Sequence, residues 1–559
     1  MQGWIRANSD WQAFKQIALH EPAIAICLQT TGADPLLNKI TYVMLATSVN
    51  TVALDIDALG GSDCLNQLLA PLLTDKQRVK VFHNAKFALR FLLKSGLVLE
   101  RIFDSMLADQ LLAMGEMQYE PDLNQTVSRH LDVDNSVHLS PEFAPVRQVY
   151  ELRKAIIPKL VQAKLVKCAQ VEFECSRVTA EIENAGLRLD AAALRSLVER
   201  GSQRMAEAVN SFASAFEVET ESLFGNTPSI NLSSDAQLLA FLQGRGLPLK
   251  RVSARALTPY IQSYPGLQHI IAYRKASNER ALAGYLDYIH PRTGRIHPTY
   301  TQLAAATGRF GCSNPNIQSF PRTPEHRACI VPAPGRVLVV ADYSQIELRI
   351  AAQISGDQRM LTALRKGEDL HRLTASILMD KPPAAVEPRE RQAAKAVNFG
   401  LIYAMGASSL VDYARQQYGV DMTLEQAVRF RDRYFNAYRG VLAWHNRTRR
   451  ENASIVRTLS GRMRQVQPGN LPTALNSPIQ GTGADILKMA LVLLSPELRL
   501  LGADIVAIVH DEILVESPLS QAEAVCEKVS HSMQKAARFY LRDVPCPVEA
   551  SICKNWADS

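Results

Sequence analysis

The sequence predicts a multidomain chain, an α/β unit at the amino terminus followed by a larger α+β region, on three observations. Its 559 residues correspond to about three or four domains at roughly 150 residues each. Residues 1–165 alternate short β-prone runs with helical spacing, the pattern of an α/β domain. Beyond them, amphipathic helices flank two apolar strand-like runs, VLVVADYS at 337–344 and IVAIVHDEILVE at 505–516.

Composition narrows the class. With 47% hydrophobic and 21% charged residues, and 28 each of Gly and Pro, the chain is an ordinary folded protein, not a collagen-like or low-complexity one. No stretch reaches the ~18 consecutive apolar residues of a membrane helix. MQGWIRANSD has no basic start followed by an apolar core, so no secretory leader is expected. Nine cysteines without a C-x-x-C pair predict reduced thiols and a cytoplasmic protein.

Taken in order, AIAICLQT, YVMLATS and RVKVFHN read as strands, and FALRFLLKSG as a helix stopped by Gly96. Helical amphipathic stretches follow at 170–186, 191–216 and 234–244. VLVVADYS then runs into the helical IELRIAAQIS, and residues 357–450 are rich in helix formers broken by DKPPAAVEP. IVAIVHDEILVE reads as a hairpin, two apolar strands around an acidic turn. No repeat at a period of 20–50 residues is visible.

The net charge of +7 is modest, but its distribution is not. Between 250 and 330, eleven Lys and Arg face three Asp and Glu, an excess larger than that of the whole chain. Such a stretch suits a polyanion-binding surface, and equally a solvated, salt-bridged face; charge alone leaves both open.

Asp342 follows the apolar VLVVA, and Asp511 with Glu512 interrupts the hairpin. Carboxylates at the ends of buried strands are costly to desolvate unless a cation joins them. Mg²⁺ takes one or two carboxylates plus substrate phosphates. Two such ions about 3.5–4 Å apart clamp the attacking and leaving oxygens of a phosphoryl transfer. Taken alone, an acidic hairpin tip is more simply a turn that tolerates Asp. A third segment tips the balance. In RQAAKAVNFGLIYA, Arg391, Lys395, Phe399 and Tyr403 recur every four residues and wind as one stripe. Two cations followed by two aromatics suit a nucleotide, phosphates at one end and base at the other; a core-facing helix does not place Arg and Lys beside its aromatics.

With those residues assembled, the sequence resembles the family A DNA polymerases of the bacterial DNA polymerase I type. DYSQIELR at 342–349, RQAAKAVNFGLIYA at 391–404 and VHDE at 509–512 resemble the family's motifs A, B and C. TGRFGCSNPNIQSFP at 307–321, EDLHRLTA at 368–375, NSPIQGTGADILK at 476–488 and the closing KNW fit as well, in order, over about 300–559. The resemblance implies a right-hand polymerase behind an RNase-H-like domain. Its parts would be an exonuclease-like domain at 1–165, a thumb at 166–300, palm at 301–355 and 451–559, and fingers at 356–450.

Residue roles follow only from that resemblance. Asp342 and Asp511 would ligate two Mg²⁺ ions, Mn²⁺ substituting, with Glu512 a third catalytic carboxylate nearby. Arg391, Lys395 and His371 would hold the triphosphate, Lys395 also protonating the leaving pyrophosphate. Phe399 would stack on the incoming nucleotide, and Tyr403 would guard the template position. Tyr343, Gln345 and Glu347 would line the nucleotide pocket, Glu347 blocking a 2′-hydroxyl. Arg309, Asn316, Gln318, Arg349, Asn476, Gln480 and His510 would contact DNA, some through minor-groove acceptors shared by all correct pairs. Implied partners are primer–template DNA and dNTPs, with no membrane, for a monomer in the cytoplasm at the nucleoid, or in a host's cytoplasm if phage-encoded.

The chain departs from the family pattern in places. Ala404 stands for a Gly, Ile508 for a Gln, Pro472 for an Arg and Ser319 for an Asn. These weaken template and minor-groove contacts more than chemistry. At the amino terminus the family's four exonuclease carboxylates are gone. D-x-E reads Cys27-Leu28-Gln29, Ala88 replaces the Asp of HN-x-KFD, and Y-x-x-x-D reads Tyr150 to Lys154. Asp104 matches a non-ligand position. A scaffold without its metal site is expected, and a flap-cutting nuclease domain has no room. A nuclease is disfavoured by those lost acids, a non-catalytic DNA-binding protein by the retained palm acids, and RNA synthesis by Glu347. Specialised repair or lesion-bypass synthesis is the alternative carried forward.

Overall fold

A computed structural model describes residues 2–116, 121–132, 140–218, 220–221, 227–228 and 230–559. The amino-terminal domain is built on a six-stranded mixed sheet. Its strands are β1 (Gln2–Ile5), β2 (Ala23–Thr30), β3 (Ile40–Ala46), β4 (Thr51–Asp55), β5 (Val79–Phe82) and β6 (Ile102–Asp104), in the order β1-β4-β3-β2-β5-β6. β2 pairs antiparallel with β3 and parallel with β5. That central place buries Ala23–Ile26 on both faces, which is why the segment is an unbroken apolar run. β1 and β6, four and three residues long, are too short to show periodicity. Helix α1 (Ala85–Lys94) follows β5, and α2 (Ala144–Gln162) packs on β2 and β3.

The stretch 166–300, expected as one thumb, divides between packing units. Helix α3 (Val166–Ala185) is buried on nearly every side. Its Cys168, Ala169 and Phe173 join the core of the amino-terminal domain, while Cys175, Val178 and Ile182 join the main core. A helix that is apolar around most of its circumference is a core helix. Past it, α4 (Ala191–Phe216) lies against α5 (Leu267–Ala281). Phe212, Leu238, Leu242, Leu257 and Ile270 close a small separate core at their far end.

The carboxy-terminal half carries a four-stranded antiparallel sheet. Its strands are β7 (Arg336–Tyr343), β8 (Asp504–Val509), β9 (Glu512–Pro518) and β10 (Val548–Cys553), in the order β8-β9-β7-β10. Val337–Ala341 of β7 are buried, and the strand opens to solvent at Asp342. Helix α6 (Ile346–Ser355) leaves the end of β7. Helices α7 (Leu370–Met379) and α8 (Pro388–Ile402) pack side by side across from it. Helix α9 (Leu471–Leu500) packs on α3 and on α10 (Ala522–Tyr540), which in turn covers β7 and β10.

Candidate active site

Two aspartates meet where β7 and the β8–β9 hairpin end. Asp342 stands opposite Glu512 on β9 and Glu549 on β10. Val509 pairs with Glu512, so the hairpin loop is just His510 and Asp511. His510 takes φ +60°, as the first residue of a primed two-residue loop does. The enclosing protein, then the charges of Asp511 and Glu512, push the Asp342 carboxyl up to about 7, although its side chain remains open to solvent. Burial raises Asp511 as well. Carboxylates that resist ionising together are a donor set suited to a hard cation. Among the described residues no group of three or more His, Cys, Asp or Glu converges to hold an ion. The chain therefore offers two carboxylates and leaves other positions to backbone, water and phosphate oxygens, which is how Mg²⁺ is commonly bound.

Glu512, expected as a third catalytic acid, has partners of its own. It accepts from Trp556 Nε1 at 2.9 Å and Arg327 Nη2 at 3.1 Å. The guanidinium also stacks over the Trp556 ring at 4.2 Å. Directly opposed in the antiparallel pair, Glu512 lies on the same sheet face as Asp342, and these partners fix it there beside the paired aspartates.

Helix α8 starts at a capping box of Glu387 and Glu390 with Pro388 in its first turn. Arg391, Lys395 and Phe399 are half-buried along it, and Tyr403 is the residue that ends it. Arg391 Nε donates to Asp369 at 2.7 Å, and Asp369 also caps α7 through the amides of His371 and Arg372. Thr374 donates to Asn398 Oδ1 at 3.0 Å, which aims the Asn398 amide nitrogen at His371 Nδ1, also 3.0 Å away. Nδ1 is thereby the acceptor and Nε2 the donor. Burial, helped by Arg391 and Lys395 against Asp369, lowers the imidazole to about 4, so His371 is a neutral donor at neutral pH. Its ring lies 5.8 Å from that of Phe399.

Glu347 on α6 accepts from Tyr403 Oη and from Arg309 Nη2, each at 2.6 Å. The Arg309 loop is held from inside the protein. Lys488, fully buried on α9, donates to the carbonyls of Gln302 and Gly308 at 2.8 Å and pairs with Glu172 of α3 at 2.6 Å. Arg462 completes the network with Glu172 and with Asp485. Sequence reading missed this group; its signal was an aspartate and a lysine, Asp485 and Lys488, within the apolar run of α9 from Ala484 to Leu494.

Other expected contacts divide. Asn476 and Gln480 are half-buried one turn apart on α9, Gln345 opens α6 in a left-handed conformation, and His510 is exposed at the hairpin tip. Asn316 caps the amide of Gln318 in a surface turn. Two expected contact residues are engaged inside the protein. Tyr343 points into the core and donates to Met533 O at 2.8 Å, because it alternates with Asp342 on β7. Arg349 is buried, bridging the carbonyls of Ser344 and Pro545 at 2.7 and 2.5 Å, so it braces the turn after β7. Ile508 is wholly buried, its amide and carbonyl both engaged by Tyr300 Oη.

At the amino terminus, burial pushes the Cys27 thiol up to about 12, and Ala88 is buried. Lys154 pairs with Glu151 at 2.9 Å and lies over the Tyr150 ring. Asp104 caps two helices at once, accepting from the amides of Asn84 and Ala85 and of Met106 and Leu107. Beside Ala88, Lys86 pairs with Glu183 at 2.6 Å and donates to Tyr300 O, while Arg90 bonds Asn184 at 3.2 Å. Ala88 faces this domain's own core, and the other side of α1, bearing Lys86 and Arg90 one turn apart, fastens the domain to the rest of the chain.

Residues 199–558 match the model of DNA polymerase family A, and residues 3–137 match a 3'-5' exonuclease family. DNA polymerase I of Aquifex aeolicus is 32% identical, with 96% of each chain covered. The thermostable DNA polymerase I of Thermus thermophilus is 36% identical over 69% of this chain and 48% of its own length. The chain thus spans about half of the Thermus relatives. Among solved structures, the POL domain of Pol1 from M. smegmatis, in complex with DNA primer-template and dNTP, superposes with a TM-score of 0.85 at 26% identity over 99% of both chains. No described helix is long and apolar enough to cross a membrane. By family model and by relatives along its whole length, the chain belongs to DNA polymerase family A.

Proposed function

We propose that the chain is a DNA-dependent DNA polymerase adding dNMP to a primer 3′-hydroxyl, without proofreading. The observation that carries this reading is the pairing of Asp342 with Asp511 at the sheet end, together with the cationic stripe of α8 and the neutral donor His371. In this reading α4, α5 and the segment between them act as the thumb, the β7–β10 sheet as the palm, and α7–α8 as part of the fingers. Two Mg²⁺ ions at Asp342 and Asp511, when bound, supply the charge that brings two anionic reactants together.

The side chains do the rest. Arg391 and His371 Nε2 hold phosphate oxygens, and Phe399 stacks on the nucleotide. Glu347, fixed by two donors, fills the space a 2′-hydroxyl needs. The primer hydroxyl oxygen bonds to the α-phosphorus and releases its proton to solvent as the bridge to the β-phosphate breaks, and Lys395 gives a proton to the departing pyrophosphate. The working form is a monomer on primer–template DNA in the cytoplasm. A primer-extension assay tests the reading: Asp342→Ala and Asp511→Ala abolish extension and leave duplex binding largely intact, because basic surface supplies most of the affinity. Near wild-type extension by either variant in Mg²⁺ overturns it.

A further inference from the structure

A cleft of about 780 Å³ lies behind the turn that follows Asp342, between that turn, the approach to α7 and the end of α10. Ser344 and Gln345 form one wall, continuing directly from the β7 end that bears Asp342. Asp369, whose carboxylate holds Arg391, forms another. Arg538, in the last turn of α10, and Arg542, just beyond it, line the third. Both are exposed. The acids of this cleft are mostly engaged: Asp369 with Arg391 and Asp543 with Arg365. Glu368 is the remaining carboxylate on the wall. The cleft thus adjoins the Arg391 side of the site through Asp369 and opens to solvent past two arginines that no structural ion pair employs among the described residues.

We infer that this cleft is the waiting site and exit route of pyrophosphate, with Arg538 and Arg542 its anion-binding residues. The assignment rests on the proposed polymerase reaction and adds to it where the leaving group goes. Extension breaks the bond between the α-phosphorus and the bridging oxygen, and the departing diphosphate carries that electron pair and several negative charges. It leaves Arg391 and Lys395 readily only if other cations lie along its path. The two arginines also attract polyphosphate inward, so they act on the reverse reaction, in which a pyrophosphate oxygen attacks the terminal phosphodiester and releases a dNTP. Exposed charges act at this range by attraction that salt screens.

The test is an Arg538→Ala/Arg542→Ala double variant, neither residue being part of the catalytic machinery, with Arg→Lys at both positions as control. Pyrophosphorolysis of an end-labelled primer gives KM for inorganic pyrophosphate, and calorimetric titration of the DNA-bound protein with magnesium pyrophosphate gives Kd independently of turnover. Both constants are expected to rise about three- to tenfold in the Ala variant, by roughly two exposed charge interactions. The Lys variant should keep most of the wild-type value, the primer–template Kd should stay fixed, and added salt should narrow the gap. Pyrophosphate constants within twofold of wild type in the Ala variant overturn the assignment. If wild type itself extends no primer, the polymerase reading fails, and the titration still decides whether these arginines bind the anion.

Discussion

Tyr403 Oη donates a 2.6 Å hydrogen bond to Glu347 Oε2, tying the end of the α8 helix to the start of α6. The opposite oxygen of Glu347 holds Arg309 at 2.6 Å. A carboxylate fixed from two sides is a rigid wall, and sugar selection depends on rigidity as much as on volume. Glu347→Ala should remove the wall and raise kcat/KM for ribonucleotides relative to deoxynucleotides. Tyr403→Phe keeps the wall but frees one side, so its loss of discrimination should be smaller, about tenfold at most for one hydrogen bond to a charged group. Ratios measured with a common base decide the matter. Equal ribonucleotide use by both variants and wild type would remove Glu347 from the sugar pocket.

A stability measurement without substrate probes the paired aspartates. Asp342 titrates at about 7 in the folded protein, against 3.8 for an ordinary aspartate. Between those values the folded state holds a proton that the unfolded chain has released, so folding stability falls as pH rises through this window and stays low above it. Asn at 342 has no such proton. In EDTA, the Tm of Asp342→Asn should pull ahead of wild type by a few degrees from about pH 4 to pH 8. Mg²⁺ at pH 8 should then raise Tm in wild type far more than in Asp342→Asn, since a ion bound only to the folded state stabilises it. Parallel Tm curves in EDTA would show that the carboxylates do not strain one another.

How much of this was legible in the sequence depended on distance along the chain. The hairpin and its acidic loop were readable because apolar runs on both sides of His510 and Asp511 leave one register, and the stripe on α8 because its period is local. The partners of Glu512 were not. Trp556 and Arg327 lie 44 and 185 residues away, and only the folded sheet brings them together. Tyr343 is a different case: the alternation that exposes Asp342 already required its neighbour to point inward. Helix α3, part of the stretch expected as thumb, contributes to two cores, which its sequence does not announce because it mixes Glu172, Arg177 and Glu183 with apolar residues, a pattern that resembles a solvated helix. Its charges are in fact buried in ion pairs with Lys488, Glu181 and Lys86.

The departure at Ala404 acquires a physical meaning from the structure. Ala404 N–H bonds Leu401 O and Met405 N–H bonds Gly400 O, each at 3.0 Å, the two bonds of a Schellman ending to α8. Ala404 occupies the left-handed position of that motif, φ +58°, where glycine is ordinarily found. A Cβ there costs about 1 kcal/mol. Ala404→Gly should therefore stabilise the protein by about that amount, and Ala404→Val should destabilise it by more, because a β-branched residue tolerates positive φ worst. Denaturant midpoints at constant m-value give the order, and a Gly variant no more stable than wild type would mean that the ending of α8 relaxes without strain.

Proofreading is the last expectation, and it follows from what the amino-terminal residues now do. A two-metal nuclease needs several carboxylates around the scissile phosphate. Cys27 offers a thiol that burial keeps protonated, Ala88 offers no ligand, and Lys154 brings a cation held by Glu151. Asp104 cannot turn to a metal without uncapping two helices. Lys86 and Arg90 instead bind the domain to Glu183 and Asn184. An end-labelled primer with a mismatched 3′ end, incubated with Mg²⁺ or Mn²⁺ and no nucleotides, should keep its length. Lys86→Met should meanwhile lower Tm, because it leaves Glu183, almost wholly buried, with a weaker set of partners. Stepwise shortening that persists in Asp342→Ala and vanishes on deletion of residues 1–165 would restore a nuclease to this domain, with carboxylates other than those the family pattern uses.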